Sequence, residues 1–146
     1  MNVQIREAQH VNLPAVLQLL ETVDLPTEGV KEHFNSFLVG LNTPADAQVI
    51  ACVGLEMYVP SALLRSLAVH PSYQGKGLGK KMVEVVSTWA KKHDVRRLFL
   101  LTDTAVDFFH KLGFTDINRD QVPHDVQQSI EFTKLCPTAP CLTKRI

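Results

Sequence analysis

The sequence is poor in cysteine, has no excess charge of either sign and contains no long hydrophobic run. Its three cysteines, Cys52, Cys136 and Cys141, are an odd number in 146 residues. They are too sparse for a disulfide framework, so reduced thiols are expected. Fifteen basic residues balance fifteen acidic ones, whereas a dedicated nucleic-acid-binding domain usually has a strong basic excess. We therefore expect no nucleic-acid partner.

Signals for a membrane or a metal are equally scarce. The longest apolar run, Val49 to Leu55, has seven residues, whereas crossing a bilayer takes about 20. Residues 1–10 lack the apolar stretch of a secretory signal. The six histidines are never closer than 14 positions apart and no Cys-x-x-Cys occurs, so the spacing of a zinc site is absent. We expect a cytoplasmic protein with no membrane partner and no metal; a soft-ligand pair of Cys136 and Cys141 is the alternative.

The patterns that are present indicate one mixed α/β domain over residues 1–146. The hydrophobic content of 45% is that of an ordinary globular protein. Alternating apolar residues predict a strand over residues 48–59, and a short turn at Pro60-Ser61 leads to further elements. These are a strand over Leu63–Val69, a long helix after the glycines near residue 77, a strand over Arg97–Leu101 and a helix over Ala105–Leu112. Earlier in the chain, Thr27 predicts the start of a helix through Phe34, and Gly40 predicts the end of a strand that begins at Phe37.

A glycine-rich segment, Gln74-Gly75-Lys76-Gly77-Leu78-Gly79, separates the strand over Leu63–Val69 from the long helix. Glycines at alternate positions let the backbone turn tightly and approach a ligand. The N–H groups of the first helical turn then point at an anion. A P-loop and a dinucleotide-binding loop would each need a glycine at position 80, which is Lys80. The segment is either a different kind of diphosphate loop or, as the alternative, a plain connection before a helix.

The remaining pattern, Gln-x-x-Gly-x-Gly, resembles the diphosphate-binding motif of the GNAT N-acetyltransferase superfamily. The preceding Leu67-Ala68-Val69-His70-Pro71-Ser72-Tyr73 and the later Ala105-x-x-Phe108-Phe109-x-x-x-Gly113-Phe114 resemble its other signatures. The order of elements agrees over nearly the whole chain. The resemblance implies an α/β (α+β) fold in which a mixed, mostly antiparallel sheet is splayed between its central strands and flanked by helices. It also implies acetyl-CoA as co-substrate.

The resemblance further implies which residues bind the cofactor. Backbone groups of Leu67, Ala68 and Val69 would bond the pantetheine arm, and one N–H would polarise the thioester carbonyl. The diphosphate would be held by Gln74, Gly75, Lys76, Gly77, Leu78 and Gly79. Two further contacts are expected at positions that depart from the family pattern. Thr102 replaces an asparagine, and Phe109, which we also expect in the core, replaces the tyrosine that often protonates the departing thiolate.

Several segments are similar to the arsenic-resistance N-acetyltransferases within this superfamily. They are Leu25-Pro26-Thr27-Glu28-Gly29, Leu63 to Val69, Leu100 to Ala105, Phe108-Phe109, and Glu131-Phe132 followed by Leu135-Cys136-Pro137. This resemblance implies that a phenylalanine at position 109 is normal for the branch. It points to the detoxification of a small amine-bearing arsenical.

Three charged residues are candidates for the chemistry and the acceptor. Glu56 lies on the face of its strand opposite the long apolar stripe, where it would act as a general base, directly or through water; a surface or paired carboxylate is the alternative. Arg65 interrupts an apolar strand and would bind an acceptor carboxylate or arsonate, or else pair with a structural carboxylate. Glu28 would lie over the acceptor, or else stabilise the first turn of a helix.

The sequence therefore predicts an N-acetyltransferase that moves an acetyl group to a small primary amine by direct attack, the acceptor being an arsenical or an amino-acid-like toxin. Two alternatives stay open. One is a protein N-terminal or lysine acetyltransferase, and the other is a sensor that binds acetyl-CoA without turnover. A homodimer is also left open.

Overall fold

The computed structural model of the chain describes residues 2–42 and 48–146. In these residues seven strands form one sheet in the order β1-β2-β3-β4-β5-β7-β6. The strands are β1 (Val3–Glu7), β2 (Phe37–Asn42), β3 (Gln48–Tyr58), β4 (Ser61–Val69), β5 (Arg97–Leu101), β6 (Thr115–Ile117) and β7 (Cys141–Arg145). The pairs β1·β2, β2·β3, β5·β7 and β6·β7 are antiparallel, and β4·β5 is parallel. The predicted mixed, mostly antiparallel sheet is confirmed.

In the described part of the chain four α-helices flank the sheet: α1 (Leu13–Thr22), α2 (Leu78–Lys92), α3 (Val106–Lys111) and α4 (His124–Gln127). None of the helices within residues 2–42 and 48–146 is long and apolar enough to cross a membrane. The packing divides the chain into two compact units. The first unit is Met1–Leu55 with Ser66–Thr88, and the second unit is Glu56–Arg65 with Trp89–Ile146.

The core of the first unit forms where α1 packs on β2 and β3. The apolar side chains of α1 recur at helical spacing, and Val16, Leu19 and Leu20 are buried against Phe37 and neighbouring strand residues. The ring of Phe37 lies so close to Gly54 that a Cβ atom there would be 2.2 Å from it. Glycine at this position of β3 therefore permits the close approach of β2.

The second unit is built around β5, whose residues Leu98 to Leu101 are buried. This strand pairs along its whole length with β7, from Arg97↔Arg145 to Leu101↔Cys141. Its parallel ladder with β4 joins only Ser61–Leu63 to Arg97–Phe99, whereas β4 continues to Val69. The run of four apolar residues from Leu98 to Leu101 fits a strand that is buried on both faces.

Two local predictions were wrong. Gly40 does not end β2, which continues to Asn42 with an irregular register between Gly40 and Leu41; an irregularity of this kind accommodates a glycine inside a strand. The helix expected from Thr27 to Phe34 is instead a 3₁₀ helix over Lys31–Ser36. The segment before it forms turns, and Gly29 there has a φ of 84°, which interrupts helical geometry.

Candidate active site

The glycine-rich segment follows a 3₁₀ turn, Pro71–Tyr73, at the end of β4. Gly75 and Gly77 have φ angles of 79° and 81°, in the left-handed region that favours glycine. Among the described residues, no heavy atom beyond the immediate chain neighbours lies within 4 Å of a Cβ built on either one. Glycine is therefore needed at both positions for the backbone conformation and not for packing, and the space beside them is open to a ligand.

Two side chains fix the approach to this segment. Nδ1 of His70 accepts a hydrogen bond from the backbone N–H of Ser72 at 3.1 Å and so caps the 3₁₀ turn. The side-chain amide of Gln74 donates to the backbone oxygen of Val69 at 2.9 Å. Because this hydrogen bond holds the Gln74 side chain against β4, the contact predicted between Gln74 and the diphosphate would be made by its backbone.

An aromatic residue braces the same segment from the side. The hydroxyl of Tyr73 accepts a hydrogen bond from the side-chain amide of Asn42 at 2.8 Å, which ties it to the end of β2. The Nζ atom of Lys76 lies 5.8 Å from the centroid of the Tyr73 ring, within the range of a cation–π contact. The lysine is thus held beside the loop instead of extending freely into solvent.

The start of α2 supplies the donors that the glycines expose. The backbone N–H of Lys81 donates to the oxygen of Gly77 at 3.1 Å, which is the first hydrogen bond of the helix. The N–H groups of the preceding helical residues have no partner four residues earlier within the helix. Leu78 is buried and holds the helix to its unit. The segment therefore offers backbone N–H groups and the positive end of a helix dipole to an anion.

The half of β4 that belongs to the first unit carries an unusual backbone. Ser66 has a φ of 58°, which a residue other than glycine seldom adopts within a strand. The thiol of Cys52 donates to the backbone oxygen of Ser66 at 3.3 Å. Burial raises the pKa of this thiol to about 12, so it stays protonated and able to donate. The left-handed φ of Ser66 makes a kink in β4. After this kink, Ala68 is buried in the core, while Leu67 and Val69 are half-buried.

In the second unit, Glu56 and Arg65 form a buried ion pair. Nη1 of Arg65 lies 2.8 Å from Oε2 of Glu56, and the two side chains are 0% and 1% exposed. A second carboxylate, that of Glu131, lies 3.9 Å from Nη2 of Arg65. Removing one partner from such a pair leaves a buried charge uncompensated, which is costly. The three side chains must therefore be treated as one cluster.

Tyr58 connects this cluster to a more accessible position. Its hydroxyl donates to Oε1 of Glu56 at 2.7 Å, and the residue is half-buried whereas Glu56 is fully buried. Burial, together with the hydrogen bond to Glu56 and the negative charge of that carboxylate, raises the pKa of the Tyr58 phenol above its ordinary value. The phenol is therefore protonated at neutral pH and forms a hydrogen-bonded link to Glu56.

Of the two positions that depart from the family pattern, Thr102 lies before α3 and Phe109 lies within it. The hydroxyl of Thr102 accepts a hydrogen bond from the N–H of Ala105 at 3.0 Å, and it retains its own proton to donate. Phe109 is 5% exposed, and its ring lies 5.4 Å from that of Phe114, edge to face. Phe109 is thus a core residue, as expected, and its contact with the cofactor stays a prediction.

The predicted site residues are divided between the two units. The first unit contains Glu28, Leu67 to Val69 and the whole segment Gln74 to Gly79; the second contains Glu56, Arg65, Thr102 and Phe109. Glu28 is exposed in the turns that precede the 3₁₀ helix Lys31–Ser36.

The sequence analysis missed two residues: Glu131 of the buried cluster, and Tyr58, which is hydrogen-bonded to the cluster. Tyr58 lies two residues after Glu56 on the same face of β3, which was a usable signal. No signal in the sequence pointed to Glu131, because Glu131 and Arg65 are brought together only by the tertiary fold.

Comparisons with known proteins confirm the resemblance to the GNAT superfamily, whereas the finer resemblance to the arsenic-resistance branch stays a prediction. The sequence profile of the "Acetyltransferase (GNAT) family" matches residues 5–114. The curated "Amino-acid acetyltransferase" of Salmonella typhi is 24% identical over 140 residues, which cover 90% of this chain and 31% of that protein. The chain therefore spans about a third of the length of such relatives.

Solved structures show the same fold. N-acetylglutamate synthase from Neisseria gonorrhoeae, in a structure with coenzyme A and N-acetyl-glutamate, superposes with a TM-score of 0.85 at 20% identity, covering 99% of this chain and 35% of that one. An acetyltransferase of the GNAT family from Staphylococcus aureus Mu50 gives a TM-score of 0.80 at 16% identity, with 99% of each chain covered. At these identities the likeness establishes the fold alone.

Proposed function

Because the chain belongs to the acetyltransferase (GNAT) family, we propose that it transfers the acetyl group of acetyl-CoA to the amino group of a small molecule. The observation that carries this proposal is the backbone of the glycine-rich segment. Two left-handed glycines, open on the side where a Cβ atom would stand, lie directly before a helix. This arrangement presents N–H groups to an anion, and in acetyl-CoA that anion is the diphosphate.

The proposed cofactor contacts follow the chain from β4 onward. The backbone of Leu67, Ala68 and Val69 bonds the pantetheine arm, and the kink at Ser66 supports this role because it interrupts the regular strand just before these residues. The N–H groups of residues 74–79 hold the diphosphate. The Thr102 hydroxyl and the Phe109 ring contact the arm of the cofactor.

The proposed reaction is direct attack. The amine nitrogen attacks the thioester carbonyl carbon, the carbon–sulfur bond breaks and the coenzyme A thiolate leaves. The proton that the nitrogen loses on becoming an amide passes through water to the thiolate. The amine must first lose a proton, since an alkylammonium stays charged up to a pH of about 10. Glu56 is the proposed base. Because Glu56 is fully buried, the proton reaches it through Tyr58, whose hydroxyl takes a proton from the ammonium as it passes its own to the carboxylate.

Arg65 keeps Glu56 ionised in this scheme. Its guanidinium is 2.8 Å from the carboxylate, and a neighbouring cation favours the charged form of an acid. The proposal also includes the contacts with the acceptor that the sequence predicted for Arg65 and Glu28.

The proposed acceptor is a small amino-acid-like amine. The relatives named amino-acid acetyltransferases and the structure of an N-acetylglutamate synthase support this class. An amine-bearing arsenical is the narrower alternative, supported by the segments that resemble the arsenic-resistance branch. A sensor that binds acetyl-CoA without turnover is favoured by one observation, the phenylalanine at position 109, because it has no proton to give to the thiolate.

The test is an acetyl-transfer assay that follows thiol release over a panel of acceptors. The panel contains L-glutamate, further L-amino acids, an amine-bearing arsenical and a peptide with a free N-terminus. Saturable release with one small amine and none with the peptide is the expected result. Tight binding of coenzyme A without release for any acceptor would replace the enzyme by the sensor.

A matched pair of variants tests the base. Glu56→Gln keeps the shape of the side chain and should lower kcat by about a hundredfold or more without changing the affinity for coenzyme A. Glu131→Gln removes the other carboxylate near Arg65 and should lower kcat far less. Equal kcat values for the wild type and Glu56→Gln would remove Glu56 from the mechanism.

A further inference from the structure

A cavity in the first unit opens beside α1 and has a volume of about 570 Å3. Small-molecule sites usually span roughly 300–1,000 Å3. None of the residues proposed for acetyl transfer lines it; its walls come from β1, α1, the start of β3 and His70. We propose that this cavity is a binding site for a small organic anion, one carboxylate on a short aliphatic body.

Three side chains on the polar wall of the cavity, those of Arg6, Asn12 and His70, can donate hydrogen bonds to a ligand. Arg6 is an exposed arginine on β1, and its planar guanidinium matches a carboxylate with two parallel hydrogen bonds. Nδ1 of His70 is occupied as the acceptor for Ser72 N–H, so the proton of the neutral ring lies on Nε2, which can donate. The side-chain oxygen of Asn12 accepts from the N–H of Gln9 at 2.8 Å, which leaves its NH₂ group as the end that donates.

The charge of the cavity selects the sign of the ligand. None of its lining residues that the structure describes is acidic. A carboxylate therefore meets a cation and several donors, whereas an ammonium meets no counter-charge there. A single arginine is matched to one carboxylate.

The apolar wall explains why the ligand needs an aliphatic body. Val11 is 77% exposed and is one of two large hydrophobic side chains that the described part of the chain leaves exposed. It shares the cavity with Leu19 and Val49, so its exposed surface faces a space that is apolar on one side. Burying such apolar surface stabilises a complex, and a purely polar anion would not gain this stabilisation.

The test is a titration of the isotope-labelled chain followed by amide NMR shifts, without acetyl-CoA or an acceptor. The probes are hexanoate, hexylamine and 1-hexanol. Hexanoate should give saturable shifts at Arg6, Asn12, Val49 and His70, and at least tenfold tighter binding than either other probe. Equal binding of the three, shifts elsewhere, or shifts that do not saturate would each overturn the proposal.

Variants separate this site from general surface effects. Arg6→Gln should weaken hexanoate binding at least fivefold, while Arg145→Gln, at another exposed strand arginine, should leave it unchanged. Val11→Glu places a like charge at the cavity and should weaken hexanoate while strengthening hexylamine. Unchanged affinities in both cavity variants would contradict the assignment. Because the readout is binding alone, this test can fail while acetyl transfer stands, and the reverse.

Discussion

The glycine-rich segment and the buried charge cluster are built in opposite ways. The segment consists mainly of backbone: residues 74–77 are exposed, Gly75 and Gly77 have left-handed φ angles, and the space where their side chains would stand is open. The cluster consists of side chains: Glu56, Arg65 and Glu131 are all buried, and the first two are in hydrogen-bond contact. The segment is open to a ligand because its glycines have no side chains, whereas the cluster depends on charged side chains that pair with one another.

This difference predicts how the two regions respond to substitution. A backbone site contributes little to folding, because its donors are satisfied by water when no ligand is bound. A buried cluster of charges is part of the folded state, and removing one member takes away a counter-charge from the others. Changes in the segment should therefore alter binding more than stability, although a residue other than glycine at a left-handed position adds some strain. Changes in the cluster should alter stability first.

The largest expected effect is the loss of stability on replacing Arg65 by methionine. The substitution keeps most of the volume but leaves the carboxylates of Glu56 and Glu131 buried without their cation. We expect a decrease of about 3–5 kcal/mol in the free energy of unfolding, measured by urea denaturation. Arg145→Gln, at an exposed arginine, should change it by less than about 0.5 kcal/mol.

A second substitution tests whether the unpaired charge is the cause. Adding Glu56→Gln to Arg65→Met removes one of the stranded carboxylates, so the double variant should be more stable than Arg65→Met alone. A double variant as unstable as the sum of its parts would show that packing, not charge, dominates the cluster.

The next effect belongs to the glycine-rich segment. Gly77→Glu puts a carboxylate into the open space beside the loop and should weaken coenzyme A binding by about a hundredfold, or about 2.7 kcal/mol, in a calorimetric titration. Gly29→Glu is the matched control, since Gly29 also has a left-handed φ, of 84°, but lies outside the segment. It should bind coenzyme A like the wild type; a comparable loss in both variants would mean that strain and not repulsion is responsible.

A smaller effect concerns Tyr58, at the edge of the cluster. Tyr58→Phe removes the hydrogen bond to Glu56 and should lower the free energy of unfolding by about 1 kcal/mol. In the wild type, burial and the Glu56 carboxylate raise the pKa of the phenol. The stability that this bond contributes is complete below the ordinary phenol value of about 10 and is lost as the pH rises through the raised pKa.

Direct titration isolates this group. In a Tyr73→Phe background, Tyr58 is the single tyrosine left, and its ultraviolet absorbance should titrate above the ordinary phenol value. Adding Glu56→Gln should move the midpoint back down. An unchanged midpoint would show that burial alone raises the pKa.

The same contrast decides what could be predicted from the sequence. The GNAT fold and family are confirmed, as are the strand before the loop and the helix after it. These elements could be predicted because glycine spacing and apolar periodicity are patterns among residues close together in the sequence. The left-handed glycines are implied by the residue type itself. A binding site that consists of backbone groups can therefore be predicted from a short stretch of sequence.

The buried charge cluster could be predicted from the sequence only in part. Arg65 and Glu56 stood out as charges in apolar strands, and pairing with a structural carboxylate was one of the alternatives for each. The partner Glu131 comes from a π-helical turn, Glu131–Leu135, that no periodicity indicates. The kink at Ser66 was also missed, because a serine in an apolar strand carries no signal for a left-handed φ.

The smallest expected effect tests whether side chains contribute anything to the glycine-rich segment. Lys76 is exposed and lies over the ring of Tyr73, so an interaction with phosphate oxygens would be screened by water and salt. Lys76→Ala should weaken coenzyme A binding about two- to fivefold at low ionic strength, and the difference should vanish in high salt. Lys92→Ala makes the same change of net charge at the last residue of α2, the helix that follows the segment, and should have no effect at either salt concentration. A loss of a hundredfold in Lys76→Ala would mean that this segment, like the cluster, depends on its side chains, and the contrast between the two regions would be wrong.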